Sequence, residues 1–394
     1  MVLVLLAAAL ITSAGLGARA TFGLFLLPIT GEHVVPVSLL ALAIAVQNLM
    51  WGAAQPFAGN LADRRGPVAL IAIGGLVYAA GLLLVAWHAN ALTIMLGLGV
   101  LAGLGQSSMT FAVIISAVSR AADPAFRATA VALAAAGGSL GQVALIPVAQ
   151  FAISNFGFRW AFVALGAIIL CAAPFGYFLV RRDGQVPRPA DGPEILQTTF
   201  SAIWTAMRDP NYLFLTAGFF ACGFQLAFIG NHLPAYLSLC HVAGGIAAAT
   251  LATIGFFNII GSYGFGRLMD RFAPQHLLVA LYAVRATATL AFVAVPASAI
   301  SSLGFGVVMG LTWLGTVPLT NGVVTRLFGL RNLGTLFGVC FLSHQVGSFL
   351  GTFLGGLALA ATGSYTTMWV ATIAVGYAAA LLNVPIRTRE VATA

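Results

Sequence analysis

Long apolar runs, repeated from one end of the chain to the other, are the feature that most constrains how this sequence can fold. Runs of 18 or more apolar residues can cross the hydrocarbon core of a bilayer as a helix, and they recur throughout the 394 residues. Only 7% of the residues are charged, against about 25% in a soluble globular chain. Barrel strands would instead alternate over roughly ten residues, a pattern that this sequence lacks. We therefore expect an all-α polytopic membrane protein.

Charged and Gly/Pro-rich interruptions divide the apolar sequence into twelve predicted spans. The first six are 2–28, 36–58, 67–87, 91–119, 127–153 and 158–180, and the second six are 211–237, 244–265, 276–296, 300–325, 333–360 and 366–386. The one long polar segment, 181–210, has the composition of a linker. We therefore expect an N-terminal six-helix bundle in 1–180, the linker in 181–210 and a C-terminal six-helix bundle in 211–394.

The distribution of arginine predicts which way the spans run. The chain has 17 basic residues of the Lys/Arg type, and all of them are arginine. The predicted loops on one side of the membrane hold a single arginine, Arg159. The other side holds Arg64, Arg65, Arg120, Arg127, Arg181, Arg182, Arg188, Arg208, Arg267, Arg271, Arg326, Arg331, Arg387 and Arg389. Because cytoplasmic loops carry the excess of basic residues, both termini and the linker are expected in the cytoplasm. The net charge of +8 belongs to these loops, so it does not predict nucleic-acid binding.

A charged motif appears once in each half of the chain. Gly59-Asn60-Leu61-Ala62-Asp63-Arg64-Arg65-Gly66-Pro67 and Gly266-Arg267-Leu268-Met269-Asp270-Arg271-Phe272-Ala273-Pro274 both read G-x-x-x-D-R-x-x-P. Each follows the second span of its half, and each is expected to form a short loop. Gly17-x-Arg19 with Pro28 is likewise matched by Gly223-x-Gln225 with Pro234 at a constant spacing. Such repeats indicate a tandem duplication, as in transporters built from internal repeats.

The motif resembles the signature loop of the major facilitator superfamily. That resemblance implies two homologous six-helix bundles around a central cavity and transport by alternating access. It also implies a conformational latch at Gly59, Asp63, Arg64 and Gly66, with a second copy at Gly266, Asp270 and Arg271. The family usually has further basic residues after the second glycine, where this chain has Pro67 and Val68.

Four further stretches resemble the bacterial monocarboxylate-transporter-like branch of that superfamily. They are Arg19–Phe25, Gln47–Gly52 with Gln55–Phe57, Trp313–Thr320 and Phe341–Phe349. The resemblance implies transport of a small organic anion across the bacterial inner membrane, proton-coupled or by exchange. Characterised monocarboxylate carriers place an Asp and, four residues later, an Arg in span 8, where this chain has Asn258 and Ser262. A simple proton symport through a span-8 carboxylate is therefore not expected.

An exporter of amphipathic or drug-like compounds is the alternative within the same superfamily. Drug–proton antiporters usually show an arginine in span 4 and a G-x-x-x-G-P-x-x-G-G motif in span 5. Span 4 of this chain lacks the arginine, and Gly137–Gln142 in span 5 lacks the proline. In this alternative the arginines within the spans would be structural.

Polar residues inside the spans are the candidate substrate ligands, because charge at membrane depth is costly and commonly functional. Arg19 and Arg285 are the two charged residues that lie deep within predicted spans rather than at their ends, and no Asp or Glu falls inside any span. An anionic substrate would supply the missing negative charge. Arg285 could instead bond backbone carbonyls, His344 could be a neutral packed imidazole, and each amide could join helices for about 1 kcal/mol. The full candidate set is Arg19, His344, Gln345, Arg285, Asn258, Gln225, Gln106 and Gln142.

Other chemistries find little support in the sequence. The four cysteines are scattered without metal-ligand spacing, so neither a metal site nor another cofactor is expected. A membrane-embedded enzyme would need a paired acid and base or a nucleophile–base pair, and the isolated histidines do not provide one. The expected partners are the anion and the lipid bilayer, together with a proton if transport is proton-coupled rather than by exchange, with a monomer as the default of the family.

Overall fold

The computed structural model describes residues 1–32, 34–123, 127–179, 201–329 and 333–388. Within those residues every regular element is helical, and no strand is present. Eleven segments are long and apolar enough to cross a membrane. One of them, Leu133–Leu179, turns sharply at Gly157 (φ 82°, ψ 167°), a conformation that glycine adopts without steric cost. Counting the two arms of that segment separately gives the twelve predicted spans.

We number these spans α1 to α12. In the first half they are α1 Val2–Gly31, α2 Val37–Arg65, α3 Pro67–Trp87, α4 Ala91–Ala121, α5 127–156 and α6 158–179. In the second half they are α7 Pro210–Leu239, α8 Gly244–Leu268, α9 Pro274–Ala294, α10 Ala299–Phe328, α11 Leu333–Thr362 and α12 Thr366–Asn383.

Local sequence signals fix where several helices begin. Proline is the first residue of α3, α7 and α9, the position where its missing N–H costs nothing. Capping boxes open α4, through Asn90 and Thr93, and α10, through Ser298 and Ser301. In each box the two side-chain oxygens accept from two backbone N–H donors reciprocally. The same device at the start of the fourth helix of each half is a further trace of the duplication.

The first copy of the repeated motif forms a helix end and not the loop expected from the sequence. α2 continues through Asp63 to Arg65, and Gly66 (φ 84°) alone separates it from Pro67 of α3. Nothing between Gly59 and Arg65 stops a helix, whereas a glycine with positive φ followed by proline does. The second copy agrees better with the expectation, because α8 ends at Leu268 and 269–273 form a turn before α9.

The predicted linker falls largely on residues 180–200, which lie outside the described residues. Its last part, 201–206, is helical and precedes Asp209, whose side chain accepts a hydrogen bond from the Asn211 N–H at 2.8 Å. That contact caps the start of α7.

Three spans are interrupted near the middle. α1 changes to a 3₁₀ helix over Phe22–Phe25, α4 breaks between Ser108 and Phe111, and α10 breaks between Thr312 and Thr316. Irregular backbone at this depth must find hydrogen-bond partners inside the protein. The side chains that supply them turn out to include several of the predicted site residues.

Glycines allow the helices of each half to pack closely. In the first half, a Cβ on Gly141 of α5 would collide with the backbone of Ser13 in α1. In the second half, Cβ atoms on Gly347 and Gly351 of α11 would collide with the carbonyl oxygens of Phe220 and Phe224 in α7. Glycines four positions apart, such as Gly347 and Gly351, predict a small-residue packing face from the sequence, and α11 uses that face against α7.

Contacts between the halves follow two helix pairs, α2 with α11 and α5 with α8, with a shorter contact of α1 with α7. We call the side where α2, α8 and α10 end the arginine-rich side. Named contacts of α2 with α11 run from Ala41–Gly356, near the opposite side, to Trp51–Phe341 near the middle. Those of α5 with α8 likewise run from Gln150–Gly244 to Ser139–Asn258. The described contacts between the halves therefore lie from the middle of the bundle towards the opposite side.

Candidate functional site

Arg19 lies in the last turn of the regular part of α1, just before the 3₁₀ segment. Its Nε and Nη2 both donate to Oδ1 of Asn48 in α2, at 3.2 and 2.5 Å. The guanidinium also lies 5.2 Å from the ring centroid of Trp51, within the range of a cation–π interaction. Arg19 remains partly exposed. Its described contacts therefore contain no negative charge.

Asn48 connects Arg19 to the other half of the protein. Its Nδ2 donates to the carbonyl of Ile44 at 3.2 Å, one turn earlier in α2, which identifies Oδ1 as the atom facing Arg19. Its main-chain oxygen accepts a hydrogen bond of 3.0 Å from Nε2 of Gln345 in α11. Both Asn48 and Gln345 are fully buried. A continuous polar path thus joins α1, α2 and α11.

His344 extends that path. Its Nδ1 lies 3.0 Å from Oε1 of Gln345. Because the Gln345 amide nitrogen donates to Asn48, its oxygen must accept, so Nδ1 carries the proton and Nε2 is the acceptor of the neutral ring. The imidazole is partly exposed, and its centroid lies 4.9 Å from that of Phe219 and 5.9 Å from that of Phe341. We call Arg19, Asn48, Trp51, His344 and Gln345 the central polar site.

Arg285, the second candidate arginine, lies inside the C-terminal half with no exposed surface. Its Nη2 donates to the carbonyl oxygens of Thr312 and Trp313, the latter at 3.1 Å. Its Nη1 lies 3.4 Å from Sγ of Cys222. A cation at the C-terminal end of a helix segment compensates both unpaired carbonyls and the helix dipole. Arg285 thus closes the break in α10, in agreement with the alternative interpretation from the sequence.

Asn258 supplies a hydrogen-bond acceptor for the backbone on the other side of the break in α10. Its Oδ1 accepts hydrogen bonds from the Leu314 N–H at 3.0 Å and from Ser262 Oγ at 3.1 Å. Its Nδ2 donates across the halves to Ser139 Oγ at 2.8 Å. Every polar atom of this buried amide therefore has a partner within the protein.

The three remaining glutamines also bond within the protein. Gln142 of α5 donates to the carbonyl of Leu251 in α8 at 3.1 Å, Gln225 of α7 donates to that of Thr372 in α12 at 2.9 Å, and Gln106 of α4 accepts from Gln47 of α2. Gln225 and Gln106 are fully buried. Of the eight predicted site residues, the structure brings together Arg19, His344 and Gln345, and it places the other five at helix contacts.

The predicted latch residues lie at the arginine-rich side. Asp270 is 68% exposed and lies 4.0 Å from Arg267, its neighbour one turn earlier, and Arg271 is exposed. Gly59 lies within α2, Gly66 ends it and Gly266 lies within α8. The side chains of Asp63 and Arg64 are outside the described residues. An exposed pair at this distance contributes little to stability.

Asn48 and Trp51 belong to the central polar site, and Phe341 packs against Trp51 and His344; none of the three was among the predicted site residues. Asn48 and Trp51 lie in the stretch Gln47–Gly52 that resembles the monocarboxylate-transporter-like branch, and their spacing of three positions puts both on one face of α2. That spacing was the available signal. Within the described residues, no group of three or more His, Cys, Asp and Glu side chains could hold a metal ion.

Comparison with known proteins identifies the family. The model of the Major Facilitator Superfamily matches residues 5–352. The chain belongs to this family. It is therefore a membrane transporter and not an enzyme, as expected from the sequence.

Individual relatives agree with that assignment. The chain is 26% identical to the uncharacterized MFS-type transporter YcxA of Bacillus subtilis over 381 residues, which cover 94% of this chain and 92% of the relative. It is 29% identical to monocarboxylate transporter 11 of Homo sapiens, with 84% and 70% covered. Among solved structures, a bacterial homologue of the human lysosomal transporter Spinster in an inward-facing, occupied conformation superposes with a TM-score of 0.72 at 17% identity, covering 97% of this chain and 94% of that one. This last similarity supports the fold.

Proposed function

We propose that this transporter moves a small monocarboxylate across the cytoplasmic membrane of a bacterium by alternating access, with coupling to protons or by exchange. The observation that carries the proposal is Arg19: a partly exposed guanidinium near the middle of the bundle whose described hydrogen-bond acceptor is a neutral amide oxygen and which lies over an indole ring. A cation at this depth needs compensation, and a carboxylate would provide it through the strong charge-assisted hydrogen bonds that arginine forms. Monocarboxylate transporters among the relatives favour the same class of substrate.

In this proposal Arg19 binds the carboxylate, and His344, oriented by Gln345, contacts the rest of the substrate. The aromatic rings of Trp51, Phe341 and Phe219 surround these polar groups, so the site offers an apolar surface beside a single cation. Arg285, Asn258, Gln225, Gln106 and Gln142 are assigned to holding helices and helix breaks, because their described partners lie within the protein.

Alternating access is supported by the position of the contacts between the halves. They run from the middle towards the opposite side, so we assign this arrangement to the state that is open towards the arginine-rich side, which the positive-inside rule makes cytoplasmic. Asp63, Arg64, Asp270 and Arg271 would then engage when that side closes. The exposed Asp270, held only by the weak Arg267 contact among the described residues, is available to change partners.

A ligand-dependent thermal shift on detergent-purified protein tests the proposal. The probes are pyruvate, lactate, benzoate and succinate, applied to the native chain and to Arg19→Gln. A ligand that binds only the folded state raises the melting temperature by mass action. Arg159→Gln is the matched control, because it removes the same charge from an exposed arginine whose described hydrogen bond is to the carbonyl of Trp87.

We expect a monocarboxylate to raise the melting temperature of the native chain and of Arg159→Gln but not of Arg19→Gln. Absence of a shift with every carboxylate would contradict the proposal. Shifts produced by apolar or cationic compounds that persist in Arg19→Gln would favour an exporter of amphipathic compounds instead.

A further inference from the structure

The guanidinium of Arg19 has two edges that can bind a carboxylate in bidentate fashion, and the structure uses one of them. The Nε/Nη2 edge is held by Oδ1 of Asn48, and one face is covered by Trp51. The Nη1/Nη2 edge has no described partner, and the side chain is partly exposed. A planar guanidinium that is fixed along one edge presents the other in a defined direction.

Asn48 is itself held on two sides. Its amide nitrogen is bound to the carbonyl of Ile44, and its main-chain oxygen accepts from Gln345 of the other half. The side-chain amide has no exposed surface and its nitrogen is bound within α2, so it cannot follow Arg19 if the guanidinium rotates. It therefore sets the orientation of Arg19 and does not merely accompany it.

We propose that Asn48 is the positioning residue of the anion site: it anchors one edge of Arg19, leaves the Nη1/Nη2 edge for a carboxylate, and ties this arrangement to the contact between α2 and α11 through Gln345. This inference rests on the proposed function. It adds that His344 is aligned with Arg19 only while α2 and α11 touch at this level, because Gln345 bonds both the main-chain oxygen of Asn48 and the imidazole of His344.

Two substitutions of Asn48 separate positioning from charge. Asn48→Leu has nearly the same size and removes the oxygen that anchors Arg19. Asn48→Asp keeps that oxygen in place but neutralises the guanidinium from within the protein. Gln47→Leu is the matched control: Gln47 is an equally buried amide, one residue away on α2, whose described side-chain partner is Gln106 and not Arg19.

The affinity of each full-length variant for benzoate and pyruvate is measured by isothermal titration in detergent, and its melting temperature is measured without ligand. We expect Asn48→Leu to weaken binding by about tenfold, because an unanchored arginine must be ordered by the ligand itself. Asn48→Asp should abolish measurable binding while its melting temperature stays close to that of the native chain. Gln47→Leu should lower the melting temperature and leave the dissociation constant within about twofold, since a merely structural effect on α2 acts on stability.

Each other outcome has a definite meaning. Tighter binding by Asn48→Leu would overturn the proposal, because it would show that the amide competes with the anion for Arg19. Equal weakening by Asn48→Leu and Gln47→Leu would overturn it as well, since the effect would then be general to α2. Failure of the native chain to bind either probe, or native affinity in Arg19→Gln, would instead contradict the proposed function.

Discussion

Replacing Arg285 by methionine should unfold the C-terminal half more readily without altering the anion site. Methionine retains the apolar stem but leaves the carbonyls of Thr312 and Trp313 without their side-chain donor. Each unpaired buried carbonyl costs about 1–3 kcal/mol. Removal of the charge relieves part of the cost of its burial, so we expect a net loss of about 3 kcal/mol in the free energy of unfolding. For a unit of this size, that corresponds to roughly 6–12 °C in melting temperature.

Intrinsic tryptophan fluorescence during heating gives the melting temperature, and titration with a bound carboxylate gives the affinity. Arg285→Lys is the matched variant, because an ammonium at this position keeps the charge and can donate to both carbonyls, so it should recover a large part of the loss. Arg285→Met should retain native affinity wherever it is folded. Unchanged thermal stability together with lost anion binding in Arg285→Met would refute the structural role and return Arg285 to the substrate site.

Two further predictions address packing and access. His232→Phe removes the hydrogen bonds of His232 to Tyr365 and to the Thr352 carbonyl, at 2.9 and 2.7 Å. It should therefore lower the melting temperature by the equivalent of about 2 kcal/mol without changing carboxylate affinity. A change in affinity without a change in melting temperature would contradict this prediction. Cysteines at Gln150 and Gly244, bridged by a short reductant-cleavable reagent after Cys171→Ser and Cys240→Ser, should stop transport in proteoliposomes but allow carboxylate binding. Reductant should restore transport, and transport through the intact cross-link would argue against separation of α5 and α8.

The sequence predicted the features that depend on composition and repetition. The twelve spans follow from hydropathy, the duplication follows from paired motifs, and the packing face of α11 follows from glycines spaced four apart. These features could be predicted because lipid imposes the same length and polarity on every span.

The sequence could not predict where helices break or continue within a span. Trp313-Leu314-Gly315 reads as ordinary apolar sequence, yet α10 is interrupted there, and Asp63 reads as a loop residue, yet it belongs to α2. The break in α10 depends on tertiary partners, which local composition does not contain, whereas the end of α2 is set by the local stop signal Gly66-Pro67, which lies after the charged residues of the motif. The roles of Arg285 and Asn258 follow from that interruption, so the sequence could offer the binding of backbone carbonyls by Arg285 only as an alternative.

Because the sequence does not reveal the break in α10, it could not fully distinguish the roles of Arg19 and Arg285. Each lies in an apolar span without a carboxylate, and each needs compensation. Arg285 receives it from carbonyl oxygens at a helix end, whose partial negative charge already balances much of its field, and it is sealed from solvent. Arg19 has one amide oxygen and an aromatic face as described partners, and the residue remains partly exposed. A buried cation such as Arg285 that is already compensated gains little from a further anion. Arg19 is therefore the arginine that we expect to bind a carboxylate.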